Sequence, residues 1–333
     1  MPDRSDLLRA FLAEHGWGDA AITPVAGDAS MRAYFRALDG GRRAIVMDAD
    51  PTRGEDVRPF VRIARFLSGI SLSAPEIYAA DEAQGILLLE DLGDGLFARL
   101  LARGVADENR LYTAATDVLL HLHAAHPPAL DPYDAPRLAE LATLAVTWYR
   151  RGVLGAMPEG LEAEFAAALR TAFAPTYDGP RVLVQRDYHA ENLLWLPERR
   201  GVAQVGLLDF QDAMSGHPAY DLVSVLQDAR RDVPEAIETE MLDRYITAEG
   251  VDAVEFRTAY ALLGLQRNLR IVGVFARLWL RDGKQGYLSL IPRVWAHVET
   301  NLARLESPAL TQLVHDALPV PDAAALDTLR AAR

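Results

Sequence analysis

The apolar positions of this chain change their period along its length. Leu7, Leu8, Phe11 and Leu12 recur at helical spacing and predict a helix over 3–15, ended by Gly16 and Gly18. The following segments read as strands. Residues 22–25 read as a short strand, and Gly27, Asp28, Ala29 and Ser30 make a turn of small residues. Met31, Ala33, Phe35 and Ala37 then alternate with Arg32, Tyr34 and Arg36, as a half-buried strand requires. Asp39, Gly40 and Gly41 signal a hairpin into a third strand at 43–48. Val57, Val61, Ala64 and Leu67 restore a helical stripe over 55–68. Residues 86–89 (ILLL) form a wholly apolar strand, broken by EDLGDG at 90–95. Beyond it the pattern is helical over 96–103, 107–125, 137–150 and 159–173, and again over 218–315. Between these, 182–212 hold two short apolar segments, each followed by an acidic loop. The expected fold class is therefore α+β and bilobal: a small β-rich N-lobe, 1–93, and a larger helical C-lobe, 94–333.

Composition narrows the partners. At 333 residues the chain suits two lobes better than one core, and half of it is hydrophobic. A net charge of −13 disfavours nucleic acid, which needs basic stripes. The sequence holds no cysteine, which excludes disulfides, thiolate metal sites and thiol nucleophiles. No apolar run reaches bilayer length and the N-terminus lacks a signal-peptide core, so the expectation is a cytoplasmic protein without membrane contact. Nothing in the pattern calls for an obligate protein partner. Lys284 is the sole lysine; the other basic side chains, histidines aside, are arginine.

The two acidic loops carry the chemistry. One reads Asp187-Tyr-His-Ala-Glu-Asn192, the other Leu207-Leu-Asp209-Phe-Gln-Asp212. Oxygen ligands from Asn192 and Asp209 suit hard Mg²⁺, which keeps several waters and takes few protein carboxylates. Asp187 is then left to accept a proton from an attacking hydroxyl, the division of labour that phosphoryl transfer needs. Either aspartate alone reads equally well as a turn former. The pair, about twenty residues apart, is harder to dismiss. Backbone N–H groups of the 27–30 turn suit phosphates, a weak signal by itself.

These loops lie among GDASMRAYFR, AIVMDAD, LLLEDLGDGLF, QRDYHAENLLWLPE, LLDFQDAMSGHPAYDLVSVLQDARRDV and LQRNLRIVGVFARLWLRDGKQGYLSLIPRVW. Together they resemble the aminoglycoside phosphotransferase family, within the protein-kinase-like fold, over nearly the whole chain. The segments look most like its branch of bacterial anomeric sugar kinases, which phosphorylate N-acetylmuramate and N-acetylglucosamine at C1. The resemblance implies ATP and Mg²⁺ as cofactors, a small sugar as acceptor, and a place in cell-wall recycling. It gives Asp187 the acceptor hydroxyl, Asn192 and Asp209 the metal, and Asp221 the bracing of the catalytic loop. Asp28, Ala29, Ser30 and Met31 fall on its phosphate turn. Glu90 to Leu92 fall on its hinge, whose backbone binds adenine.

One departure stands out. The family places a lysine in the third strand to hold the α- and β-phosphates, and here Met47 occupies that position. Arg32, just after the turn, is the first candidate to replace it, and Arg43, on the face of Met47, the second; both also read as solvated strand arginines. For the sugar, His189 and Asp212 flank the metal and acceptor residues. Arg267 and Arg270, on one helical face with Arg277 and Arg281, suit a lactyl carboxylate such as muramate carries. Ion pairing within the chain explains Arg277 and Arg281 better. Trp148, Tyr149 and Arg150 read either as a sugar-stacking wall or as core. His121, His123 and His126 have poor spacing for a metal, since His121 and His123 point apart on a helix. The rival expectations are a kinase of another alcohol (aminoglycoside, choline or homoserine) and a non-catalytic ATP-binding regulator.

Overall fold

The computed structural model describes residues 4–25, 32–177, 179 and 181–333. The small-residue turn with Asp28, Ala29, Ser30 and Met31 lies outside them. Two compact units emerge, Met1–Ala125 with Ala190–Ala213, and His126–His189 with Met214–Arg333.

In the first unit, helix α1 (Arg4–Glu14) precedes a five-stranded antiparallel sheet of β1 (Ala21–Val25), β2 (Ala33–Asp39), β3 (Arg42–Asp48), β4 (Ile77–Asp81) and β5 (Ile86–Glu90). The strand order is β1-β2-β3-β5-β4. Gly40 and Gly41, at φ 52° and 90°, close β2 onto β3 in a two-residue hairpin turn whose positive φ angles only glycine adopts freely. The alternation seen in the sequence decides the two faces. Phe35, Ala37, Ala44, Val46, Ile86 and Leu88 pack under Leu8, Phe11 and Leu12 of α1 and Trp17. Arg32, Tyr34 and Arg36 stand on the other face. Strand β4 was not expected. Its alternation rests on Ile77 and Ala79, and alanines give the period-two signal little amplitude. Helix α2 (Arg58–Gly69) follows β3 in sequence and buries Phe60, Val61, Ile63, Ala64 and Leu67.

Helices α3 (Phe97–Ala102) and α4 (Glu108–Ala124) belong to this same unit. The break at 93 therefore marks the end of the sheet rather than of the unit. Backbone hydrogen bonds are the reason: the Trp195 N–H donates to Gly95 and the Leu207 N–H to Ser73, at 2.8 and 2.9 Å. They dock a later hairpin onto the chain on either side of β4 and β5.

The second unit starts with α5 (Ala135–Ala142), a wider π-helical turn at Ala145–Arg150, α6 (Arg151–Leu154), α7 (Leu161–Phe173) and the three-residue strand β6 (Val182–Val184). The chain returns to the first unit for the hairpin β7 (Leu193–Trp195) and β8 (Val205–Leu207). It then completes the second unit with β9 (Met214–Gly216), paired antiparallel with β6, and helices α8 (Ala219–Leu226), α9 (Glu235–Glu249), α10 (Ala253–Leu280), α11 (Ile291–Leu305), α12 (Pro308–Ala317) and α13 (Ala323–Ala331). The helix expected over 137–150 is thus interrupted. The interruption falls where α10 crosses it at Gly273, so closely that a Cβ there would lie 2.1 Å from the Leu144 carbonyl carbon. Among the described residues no helix is long and apolar enough to cross a membrane.

Candidate active site

The second unit holds the acceptor loop. Strand β6 is buried and delivers the chain to Gln185 and Arg186. Arg186 has φ 74°, a left-handed conformation that costs a non-glycine residue free energy unless its surroundings impose it. Helix α8 imposes it. Asp221, fully buried, accepts the Gln185 N–H at 2.6 Å and the Arg186 N–H at 2.9 Å. Ser224 Oγ donates to the Arg186 carbonyl at 3.2 Å. Burial pushes the Asp221 carboxyl up to about 7, against those two N–H donors. The first turn of α8 is capped by His217, whose Nδ1 accepts the Ala219 N–H at 3.1 Å. Burial pushes this imidazole down to about 4, so it stays neutral and able to accept.

Asp187 follows directly. Burial alone would raise its carboxyl, but the guanidinium groups of Arg270, then Arg267 and Arg186, hold it below the usual carboxylate value. It is an ionised carboxylate among guanidinium groups. His189, 6% exposed, is pushed down to about 4 by burial, with Arg230 and Arg267 working in the same direction and Asp228 against. It is neutral, and the 3.5 Å contact from Arg230 Nη1 to its Nε2 suits the tautomer protonated at Nδ1. Arg267, 3% exposed, donates to the Gln227 carbonyl at 3.4 Å. The Gln227 side chain is the hub of a buried network with Asn268, Asn301 and Glu238, at 2.8–3.2 Å. Burial works against the charge of Arg270, but Tyr133, Tyr220 and Asp187 outweigh it. Tyr133 and Tyr220 share a hydroxyl hydrogen bond of 3.0 Å, and Arg186 lies over the Tyr133 ring.

The first unit holds the metal candidates. Asn192 immediately precedes β7 and Asp209 follows β8 two residues on, so the hairpin register brings them together. The Leu208 N–H donates to the Asn192 carbonyl at 3.0 Å, and Asn192 Nδ2 lies 3.5 Å from Asp209 Oδ2. Asp209 adopts φ 57°, and Gln211 Nε2 donates to its Oδ1 at 2.7 Å. The adjacent Phe210 is fully buried and stacked on Phe60 of α2, ring centroids 4.9 Å apart, which pins the loop. The donor set fits Mg²⁺: a carboxylate and, with the Asn192 amide turned over, an amide oxygen, both hard ligands. Asp212 lies on this unit too, in the field of Arg32.

On the sheet, Met47 is fully buried, and the two arginine candidates differ sharply. The Arg32 side chain is 12% exposed, with Nε 2.8 Å from Glu55 Oε2. The Arg43 side chain is 58% exposed, 3.8 Å from Asp91. The buried Asp91 is held more closely by Arg36, at 2.8 Å. At the end of β5, the Glu90 N–H donates to the Glu76 carbonyl at 2.8 Å and its carboxylate pairs with Arg199. Of the three residues Trp148, Tyr149 and Arg150, Tyr149 is core, fully buried with its hydroxyl on the Pro319 carbonyl, and Arg150 reaches the Ala317 carbonyl. Arg281 pairs with Asp282 at 2.7 Å, as ion pairing predicts. His121 Nε2 meets the Ile70 carbonyl at 2.6 Å.

Residues 21–261 match the sequence profile of the phosphotransferase enzyme family. The chain belongs to this family. Within it, this phosphotransferase is 40% identical to an N-acetylmuramate/N-acetylglucosamine kinase of Caulobacter vibrioides, covering 93% of this chain and 95% of that one. It is 37% identical to a protein of the same description from Pseudomonas aeruginosa, covering 93% and 92%. Among solved structures, a choline/ethanolamine kinase family protein from Mesorhizobium loti superposes with a TM-score of 0.63 at 14% identity, over 98% of this chain and 99% of that one. An ADP-bound aminoglycoside phosphotransferase gives 0.58 at 15%, over 89% and 99%. The protein-kinase-like fold of this phosphotransferase is thereby established.

Sequence reasoning missed Glu55, Arg36, Arg199, Arg230 and Gln227. Each acts through a partner away from it in sequence, and apart from Glu55 none stands in a recognisable local pattern. Only Glu55 gave a usable signal, as an acid just before an amphipathic helix that follows a sheet hairpin.

Proposed function

We propose that this phosphotransferase is an ATP- and Mg²⁺-dependent sugar kinase acting on the C1 hydroxyl of N-acetylmuramate and N-acetylglucosamine, serving cell-wall recycling in the cytoplasm. The observation that carries the reading is similarity across nearly the whole chain to kinases named for those two sugars. The acceptor loop supports it. An ionised Asp187 is ready to take the proton of a hydroxyl, and an anomeric hydroxyl is more acidic than an ordinary alcohol, so a carboxylate suffices as base. The anomeric oxygen bonds to the γ-phosphorus, the bond from that phosphorus to the β–γ bridging oxygen breaks, ADP leaves, and the proton passes to Asp187. Asn192 and Asp209 would hold Mg²⁺, which supplies charge neutralisation at the phosphate oxygens. Arg267 and Arg270 favour an anionic or neutral acceptor over cationic choline or an aminoglycoside.

The test is ³¹P NMR of reactions containing ATP, Mg²⁺ and either sugar. A glycosyl phosphate resonance coupled to the anomeric proton is expected. A 6-phosphate product would overturn the regiochemistry, and turnover of neither sugar the assignment itself.

A further inference from the structure

The β2–β3 register sets Tyr34 directly opposite Met47. Met47 is a buried thioether, so β3 offers no charge to a phosphate at that position. The polar groups on this face come instead from β2 and from the residue just before it. Tyr34 stands across from Met47, and Arg32 lies two residues earlier on the same side. Strands run ~4.8 Å apart and rise ~3.3 Å per residue, so the Arg32 Cα lies ~8 Å diagonally from that of Met47. That distance is within the combined reach of a long side chain and its fork of donors.

Three observations show that this pair is set up for a ligand. Glu55, just before α2, holds Arg32 Nε at 2.8 Å and fixes one edge of the guanidinium. Arg32, just before β2, is within electrostatic range of Asp212, and Tyr34 within that of Asp209, all in the same unit. Burial holds the Tyr34 phenol above its usual value, so its O–H is a donor at neutral pH.

We infer that Arg32 and Tyr34 bind the α- and β-phosphates of the nucleotide in place of the strand-3 lysine, with Glu55 as the positioning residue. The inference rests on the kinase reading and assigns its phosphate grip to β2. Arginine suits the task because its planar fork meets two phosphate oxygens at once and keeps its charge when buried.

The experiment is calorimetric titration of the full chain with ADP and, separately, with adenosine, in Mg²⁺. For Arg32→Ala, ADP binding is expected to weaken about 10- to 100-fold, with adenosine binding unchanged. Tyr34→Phe should weaken ADP binding about 2- to 10-fold, again sparing adenosine. Arg32→Lys keeps a cation without the fork and should recover part of the loss. Unchanged ADP affinity in both Arg32→Ala and Tyr34→Phe overturns the inference. So does an equal loss of ADP and adenosine, which marks a structural role. If the wild-type chain binds no ADP, the kinase reading falls with it; if only the variants fail to discriminate, the kinase reading stands.

Discussion

A buried carboxylate can serve as a base at neutral pH only if something opposes its desolvation. At Asp187 that work falls first to Arg270. Under the proposed mechanism Asp187→Asn retains the fold but loses kcat by about 10²–10⁴, the usual contribution of a general base. Replacing Arg270 tests the electrostatics separately. The native pKa is depressed, so the carboxylate stays ionised to below ordinary aspartate values. Arg270→Met removes the largest lowering charge and leaves the upward push of burial. The acid limb of kcat/KM should therefore move to higher pH. N-acetylglucosamine is the acceptor to use, since it carries no carboxylate for Arg270 to bind. A profile between pH 4 and 8 that does not move would refute the role. Asp187, Asn192 and Asp209 stand out in the sequence as candidates because their spacing is local and their residue types are chemically specific. Gln227, Arg230 and Tyr133 were not, because their meaning arises only when helices far apart in sequence pack together.

At the level of elements, α10 carries both Arg267 and Arg270, and its placement depends on Gly273. An added Cβ there meets backbone, at 2.1–2.5 Å from Leu144 and Ala145, and backbone cannot swing aside. Gly273→Ala should destabilise the protein by about 1–3 kcal/mol or more despite alanine's better helix propensity. Gly286→Ala, where nothing lies within 4 Å, should stay near neutral in the same urea titration. Elements with a strong period were read correctly from sequence, including α1, α2, α4, and the β2–β3 hairpin. Those missed had weak amplitude or minimal length: the alanine-rich β4 and α13, and the three-residue strands β7 and β9. The π-helical turn is a consequence of close packing by α10, which no local pattern announces.

Across the whole molecule the chain passes between its two units three times, after 125, 189 and 213. The acceptor loop is cut by the second passage: Asp187 and His189 belong to one unit, Asn192 and Asp209 to the other. Acid stability is a property of this larger scale. His189 and His217 fall from their usual value to about 4 in the folded protein. The unfolded chain therefore protonates first as pH drops below about 6.5, and stability is lost from there down to about 4, by up to ~3 kcal/mol for each histidine. Asp221, raised to about 7, acts in the opposite sense, because its contribution is lost as pH rises. The urea midpoint should fall between pH 7 and pH 5. His217→Asn, which keeps an acceptor for the Ala219 N–H, should flatten that fall; an unchanged slope would count against the assignment.

The buried methionine of β3 has a practical consequence. Reagents that capture kinases by acylating an active-site amine, nucleotide acyl phosphates among them, need a lysine beside the phosphates. Here the only lysine of the sequence is Lys284, just beyond the end of α10 and in the other unit from Met47. With Arg32 as the proposed phosphate ligand, a guanidine-selective dicarbonyl, with ADP as protectant, suits this kinase better than a reagent that relies on a strand-3 lysine.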